Sequence, residues 1–163
     1  MSSVLTIADL TPEPLGVLLA KFQLQLQLQV DDEDIQGSFW GASEAGLVGT
    51  IVFVRSDTPV HSLLHEAGHL ICMTSERRAG LDRDAGGDDP EEAAVCYLQI
   101  LLAEHIDGLG HERVMQDMDS WGYSFRLGST RQWFEEDAED SHNWLIKHEI
   151  ITQHDDITFH LRA

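Results

Sequence analysis

Residues 22–30 alternate strictly between apolar and polar side chains. The apolar positions are Phe22, Leu24, Leu26, Leu28 and Val30, and the four residues between them are glutamines. A period of two is typical of a strand with one buried face, whereas a helix would scatter these side chains around its axis. The pattern therefore predicts a strand that ends at the acidic run of residues 31–34, whose charges would discourage edge-to-edge pairing.

Two further strands are predicted before the middle of the chain. Residues 48–54 are rich in β-branched side chains, which fit a sheet, and residues 35–40 form a second candidate strand. Residues 41–46 between them are typical of a turn. Because short connections join antiparallel neighbours, we expect a small, mainly antiparallel sheet.

Helical spacing and start signals account for most of the remaining chain. Thr58 is predicted to cap the central helix, with Pro59 at its first position. Asp89 is predicted to cap a later, strongly apolar helix. The predicted helices cover residues 12–20, 59–74, 90–106, 111–119 and 130–147, and residues 157–161 are predicted to form a short last strand.

These elements predict a single α+β domain over residues 1–163, with the sheet packed on the central helix and further helices after it. We find no signal peptide and no apolar stretch of the roughly 18–20 residues that a membrane helix needs. The two cysteines, Cys72 and Cys96, lie in apolar helical patterns, so we expect reduced, buried thiols. Together these features predict a cytoplasmic protein.

The charge of the chain narrows its possible partners. It has 29 acidic residues against 10 lysines and arginines, for a formal net charge of −19. Such a field opposes binding to nucleic-acid phosphates and to acidic membrane surfaces. A basic peptide or protein is compatible with it, although the acidity could also serve solubility alone.

Residues 65–69 read His-Glu-Ala-Gly-His and match the pattern H-E-x-x-H. Positions four apart on a helix lie about 40° apart around its axis, so His65 and His69 face one side and can share a metal ion. Zinc is the expected metal because it accepts neutral imidazole nitrogens. Glu66 can then act as general base on a zinc-bound water. Alternatively, these histidines only form hydrogen bonds in the core or face water.

A catalytic zinc usually has three protein ligands and an open fourth position. The extended metzincin motif does not supply the third ligand, since the chain has Cys72 and Ser75 where glycine and histidine are needed. The favoured candidate is Glu92, in the first turn of the next predicted helix. Glu92 could instead form a capping box with Asp89, and Glu91 could be the ligand in its place.

Other residues are weaker candidates for the metal. Cys72 follows His69 by three positions but is better explained as a core thiol. The remaining candidates are His61, Glu104, His105 and His111.

The motif and its surroundings resemble a known family. Leu63 to Ile71, followed by Glu92-Ala93-Ala94 at the start of an apolar helix, is similar to the ImmA/IrrE-type metallopeptidases, which are minimal gluzincins. The resemblance covers about residues 45–103 and implies a compact zincin-like fold. Members of the family cut repressor proteins, and they usually carry Asn or Asp at the position of Ala94. The site residues implied are the zinc ligands His65, His69 and Glu92 and the general base Glu66.

The leading hypothesis is a zinc-dependent metallopeptidase, a hydrolase of peptide or protein substrates. An extended substrate could add to the edge of the strand over residues 48–54, and Tyr123, His111 and Arg126 are candidates to stabilise the oxyanion. Two alternatives remain open. One is a non-catalytic zincin-like module that binds a basic protein, and the other is a metal-dependent hydrolase of a non-peptide substrate.

Overall fold

A computed structural model of the chain describes residues 4–37, 44–81, 86–125 and 128–163. Within these ranges the fold is α+β, with a three-stranded sheet and eight helices. The strands are β1 (Gln25–Leu28), β2 (Gly46–Val48) and β3 (Ile51–Val54). The helices are α1 (Ile7–Leu10), α2 (Glu13–Ala20), α3 (Val60–Cys72), α4 (Ser75–Ala79), α5 (Asp89–Ala103), α6 (Gly110–Trp121), α7 (Thr130–Glu136) and α8 (Glu139–Lys147).

The sheet is mixed, with β3 at its centre. β3 pairs in parallel with β1 and antiparallel with β2. The prediction of a mainly antiparallel sheet is therefore wrong for β1, because no short connection joins it to β3: residues 29–50, including β2, lie between them in the chain. Both edges of β3 are hydrogen-bonded within the sheet, so residues 51–54 offer no free edge to which a substrate could add.

The hairpin explains why one long strand was predicted where two short ones occur. Gly49 and Thr50 form the turn between β2 and β3, and Gly49 has a φ of 58°. Glycine adopts this left-handed conformation without the penalty of a Cβ atom. The apolar run of residues 46–54 thus folds back on itself.

Other strand predictions are only partly correct. The alternating segment forms β1 over four residues, and its later apolar side chains Leu28 and Val30 are exposed rather than buried. Residues 35–37 form no strand. Residues 38–43, which complete the predicted second strand and cover half of the predicted turn, lie outside the described residues. At the end of the chain, Ile157 forms a single bridge with Ile151 instead of a strand.

Helices occur in all five predicted regions, but several of their ends differ, and the short helices α1 and α4 were not predicted. Thr58 does not cap α3, because its Oγ1 accepts a hydrogen bond from the Arg55 amide. Asp88 rather than Asp89 caps α5, since its carboxylate accepts from the Glu91 amide. The single helix predicted over residues 130–147 is two helices, α7 and α8, that meet at Asp137.

Helix α5 lies at the centre of the helical part. It packs against α3 on one side and α8 on another, with α6 also in contact. Every residue from Ala94 to Ala103 is buried, as expected for a helix surrounded by others. Cys72 and Cys96 are free and buried, as predicted. No helix among the described residues is long and apolar enough to cross a membrane.

Gly68 sets how closely α3 and α5 approach. A Cβ atom at this position would lie 3.0 Å from Val95 Cγ1, well inside ordinary contact distance. The missing side chain lets the two helix surfaces meet next to the motif residues. The distance between the histidines of α3 and the first turn of α5 therefore depends on this contact.

We expect Gly68→Val to lower the free energy of unfolding by about 1–3 kcal/mol, because the added methyl groups overpack the α3–α5 contact. Gly80→Val is the matched control, since a Cβ atom there would meet nothing within 4 Å. Urea denaturation of both variants measures the difference. Equal stability of the two variants would contradict the close approach.

Candidate metal centre

Helix α3 presents the two motif histidines on one face. The ring centroids of His65 and His69 lie 4.8 Å apart, nearly perpendicular to each other. His69 is buried and His65 is partly exposed. This arrangement follows from their four-residue spacing on a helix.

Glu92 bridges the two histidines from α5. Its Oε1 lies 2.9 Å from His65 Nε2, and its Oε2 lies 3.1 Å from His69 Nε2. Nitrogen and oxygen ligands around a tetrahedral zinc ion lie about 3.3–3.4 Å apart, as bond lengths of about 2.0–2.1 Å require. The two contacts of Glu92 are shorter than this spacing, so a bound ion would take the place of the direct contacts between the carboxylate and the imidazoles. The structure thus brings together the three residues expected to share a metal.

Charge explains why the carboxylate holds this position. Burial opposes ionisation of Glu92, but hydrogen bonds from His65 and His69 hold the pKa of its carboxyl well below the usual range. The half-exposed side chain also keeps contact with solvent. Glu92 is therefore an ionised oxygen donor facing two imidazole nitrogens, which is a donor set that zinc accepts.

The alternatives to Glu92 are occupied elsewhere. Glu91 is buried and accepts two hydrogen bonds from Arg77, at 2.8 and 2.9 Å, and a third from Arg162 at 3.1 Å. Capping is also excluded for Glu92. Because Asp88 is the N-cap, Glu91 occupies the third helical position and Glu92 the fourth.

Gln99 orients His65, a role that the sequence analysis missed. Its Nε2 donates to the backbone carbonyl of His61 at 2.8 Å, which fixes the direction of the amide group because a carbonyl only accepts. Gln99 Oε1 therefore accepts from His65 Nδ1 at 3.0 Å. In the neutral ring this places the proton on Nδ1 and leaves Nε2 free to bind a metal. The family resemblance drew attention to position 94, whereas this partner lies five residues later.

Glu66 lies close to the two histidines. A carboxylate oxygen of Glu66 and one ring nitrogen from each of His65 and His69 lie within 4.8 Å of one another. Burial raises the pKa of Glu66, and the neighbouring histidines partly oppose this rise. A carboxylate in such surroundings is easier to protonate than one in water, which suits a group that accepts and returns a proton.

Tyr123 is the one predicted oxyanion donor that lies at this site among the described residues. Its hydroxyl oxygen accepts from Gln99 Nε2 at 3.2 Å and lies 3.3 Å from His61 Nδ1. Its ring packs edge-on against His65, with centroids 5.7 Å apart. Burial raises the pKa of Tyr123 to about 12, so the phenol stays protonated.

The weaker candidates are not part of the cluster. His61 faces Tyr123 and Trp121, and burial lowers its pKa to about 4. Glu104, His105 and His111 line a separate pocket beside Phe134. Arg126 lies outside the described residues.

A pocket opens beside Glu92. Its volume is about 330 Å³. The residues that line it are Asp89, Glu92, Ala93, Cys96, Tyr123, Ser124, Phe125 and Trp133. The candidate metal centre is therefore reachable from a partly apolar cavity with a carboxylate at its rim.

Comparison of the sequence with protein-family models, with curated proteins and with solved structures found no match. The geometry of the site therefore carries the functional argument by itself.

We expect two neighbouring carboxylates of α5 to differ sharply in their effect on stability without added metal. Glu91→Gln should lower the free energy of unfolding by about 2–4 kcal/mol, because it breaks a buried pair with two arginines. Glu92→Gln, the same chemical change at a half-exposed side chain, should change it by less than about 1 kcal/mol. Denaturation in the presence of a chelator measures both. The reverse order would contradict the assignment of the two carboxylates.

Proposed function

We propose that this chain is a zinc-dependent metallopeptidase, with His65, His69 and Glu92 as zinc ligands and Glu66 as general base. The observation that carries the proposal is the convergence of His65 Nε2 and His69 Nε2 on the Glu92 carboxylate, at 2.9 and 3.1 Å. The hydrogen bond from His65 Nδ1 to Gln99 supports it, because metal-binding histidines usually have their second nitrogen paired in this way.

The donor set fits zinc in its catalytic rather than its purely structural form. Two imidazole nitrogens and one carboxylate oxygen are a ligand combination found in zinc hydrolases, which keep a fourth position open. The half-exposed side chain of Glu92 and the adjoining pocket give solvent and substrate access to that side of the cluster. The zincin-like fold implied by the ImmA/IrrE resemblance is part of this proposal, which starts from an α+β fold with a three-stranded sheet.

Zinc bound here would lower the pKa of its water toward neutrality and polarise the substrate carbonyl. Glu66 is placed to accept the proton of the attacking water, and its raised pKa lets it return that proton to the leaving amine. Gln99 keeps His65 in one orientation during this exchange.

Tyr123 is the proposed donor to the oxyanion. Gln99 already donates to its oxygen, so the hydroxyl hydrogen is left to point toward His61 or toward a bound substrate. A protonated phenol beside the candidate ligand His65 can stabilise the charge that develops as the carbonyl is attacked. When no substrate is bound, His61 Nδ1 can accept the hydrogen bond from the Tyr123 hydroxyl.

The substrate we propose is a peptide or protein with basic residues near the cleaved bond. The chain has a net charge of −19, and Asp89 lies at the rim of the pocket. Acidic surfaces raise the local concentration of cationic ligands. The two free, buried cysteines fit a reducing compartment, so we propose a cytoplasmic protein. Because of its negative charge, we also propose that it binds neither nucleic acid nor membranes.

Purified wild-type protein should bind one zinc ion per chain, and Glu92→Gln should lose it, because the variant replaces an ionised ligand by a weak one. Asp89→Asn is the matched control, since it removes an exposed carboxylate from the same helical turn. Elemental analysis after dialysis measures the zinc content. Zinc retained by Glu92→Gln would contradict the assigned ligand set.

Glu66→Gln should lower peptide hydrolysis by about 10²–10⁴-fold, because it removes the general base. Its zinc content should equal that of wild type, since Glu66 is not assigned as a ligand. Glu76→Gln, on α4, controls for the loss of one negative charge. Product analysis by mass spectrometry with a mixture of basic peptides measures the rates. Unchanged hydrolysis by Glu66→Gln would show that the chemistry differs from the proposal.

A further inference from the structure

Cys96 lies on the same face of α5 as Glu92. The two residues are four positions apart, so their side chains follow one another along the helix. Cys96 is only 7% exposed, but it lines the pocket beside Glu92 together with Tyr123. A thiol is thus placed at the open side of the candidate metal centre.

The distances bring this thiol within reach of a metal held by the other residues. Cys96 Sγ, a ring nitrogen of His65 and a carboxylate oxygen of Glu92 all lie within 4.8 Å of one another. In a tetrahedral zinc site, sulfur and nitrogen ligands lie about 3.6 Å apart, given a Zn–S bond of about 2.3 Å. The sulfur is therefore at most about 1.2 Å beyond this spacing from one ring nitrogen of His65, a difference that a side-chain rotation can supply.

The other cysteine gives the contrast. Cys72 is fully buried on α3, and burial raises the pKa of its thiol. Among the described residues, two clusters bring potential metal ligands within 4.8 Å of one another, and Cys72 is in neither. They are His65, Glu66 and His69, and His65, Glu92 and Cys96. By sequence spacing, Cys72 is the cysteine nearer to the motif histidines, whereas the geometry favours Cys96.

We propose that Cys96 is a fourth, displaceable ligand of the zinc ion held by His65, His69 and Glu92. With zinc held by the other three residues and no substrate bound, the Cys96 sulfur would take the fourth position as a thiolate in place of water, with its proton released to solvent. Substrate bound in the pocket would displace the sulfur, which would regain a proton from solvent as water returns to the ion. This inference rests on the proposed function, and it adds a resting state that limits the peptidase.

Cobalt replaces zinc in such sites and reports its ligands by absorbance. The experiment uses the full chain loaded with Co²⁺, as wild type, Cys96→Ala and Cys72→Ala. Wild type and Cys72→Ala should show a sulfur-to-cobalt charge-transfer band in the near ultraviolet. Cys96→Ala should lack that band while it still binds one Co²⁺ per chain with tetrahedral visible absorbance. Circular dichroism confirms that each variant is folded.

Thiol labelling and hydrolysis give two independent readouts. In Cys72→Ala, zinc should slow alkylation of Cys96 by at least about tenfold, because a coordinated sulfur is a poor nucleophile. Zinc-loaded Cys96→Ala should cleave basic peptides faster than wild type, whereas Cys72→Ala should match wild type.

Three results would overturn the inference. They are a charge-transfer band that persists in Cys96→Ala, alkylation of Cys96 that zinc does not slow, and hydrolysis that falls in Cys96→Ala. Each would leave the three-ligand peptidase standing, provided that wild type binds zinc. Wild type that binds neither Co²⁺ nor zinc would overturn the proposed function as well.

Discussion

The contact between α3 and α5 controls the candidate site, because each helix supplies only part of it. α3 carries the two histidines and Glu66, while α5 carries Glu92, Cys96 and Gln99. Gly68 lets the helices approach until the side chains of Val95 and the α3 backbone nearly touch. Core packing responds to changes of a single methylene group, so the register of this contact sets the distances between nitrogen and oxygen at the site. The hydrophobic core and the polar cluster are therefore parts of one arrangement.

The consecutive residues Glu91 and Glu92 of α5 contact different partners because of helical geometry. Successive residues point about 100° apart, so Glu91 faces Arg77 and Arg162 while Glu92 faces the histidines. Arg162, which pairs with Glu91, also holds the last residues against α3. Its side chain donates to the carbonyl of Cys72, and its backbone amide donates to the carbonyl of Ile71. Glu92 thus takes no part in the pairing with the arginines, and its carboxylate contacts the histidines.

The sequence predicts the local parts of this site better than its long-range parts. The pair His65 and His69 follows from spacing on one helix, and Glu92 was favoured because it opens the next apolar helix. Gln99 and Cys96 gave no such signal, because their roles depend on the crossing of two helices that spacing along one helix does not specify. The parallel pairing of β1 with β3 was missed for the same reason, since local alternation predicts a strand but not its neighbour. The break between α7 and α8 was missed because the helical spacing of apolar residues continues across it.

The polar cluster is organised around a position that favours a cation. Glu66 and Glu92 lie beside the histidines, and Glu44, near Tyr123, adds a third carboxylate that accepts from Trp121 and Ser62. Without an ion, the ring N–H groups of His65 and His69 donate the hydrogen bonds that hold the Glu92 carboxylate. Burial raises the pKa of Glu66, because water solvates its carboxylate poorly. A divalent cation between His65, His69 and Glu92 would replace these hydrogen bonds and balance the nearby negative charge. Gln99 needs no change on metal binding, because its Oε1 accepts from His65 Nδ1 whether His65 Nε2 carries a proton or binds an ion.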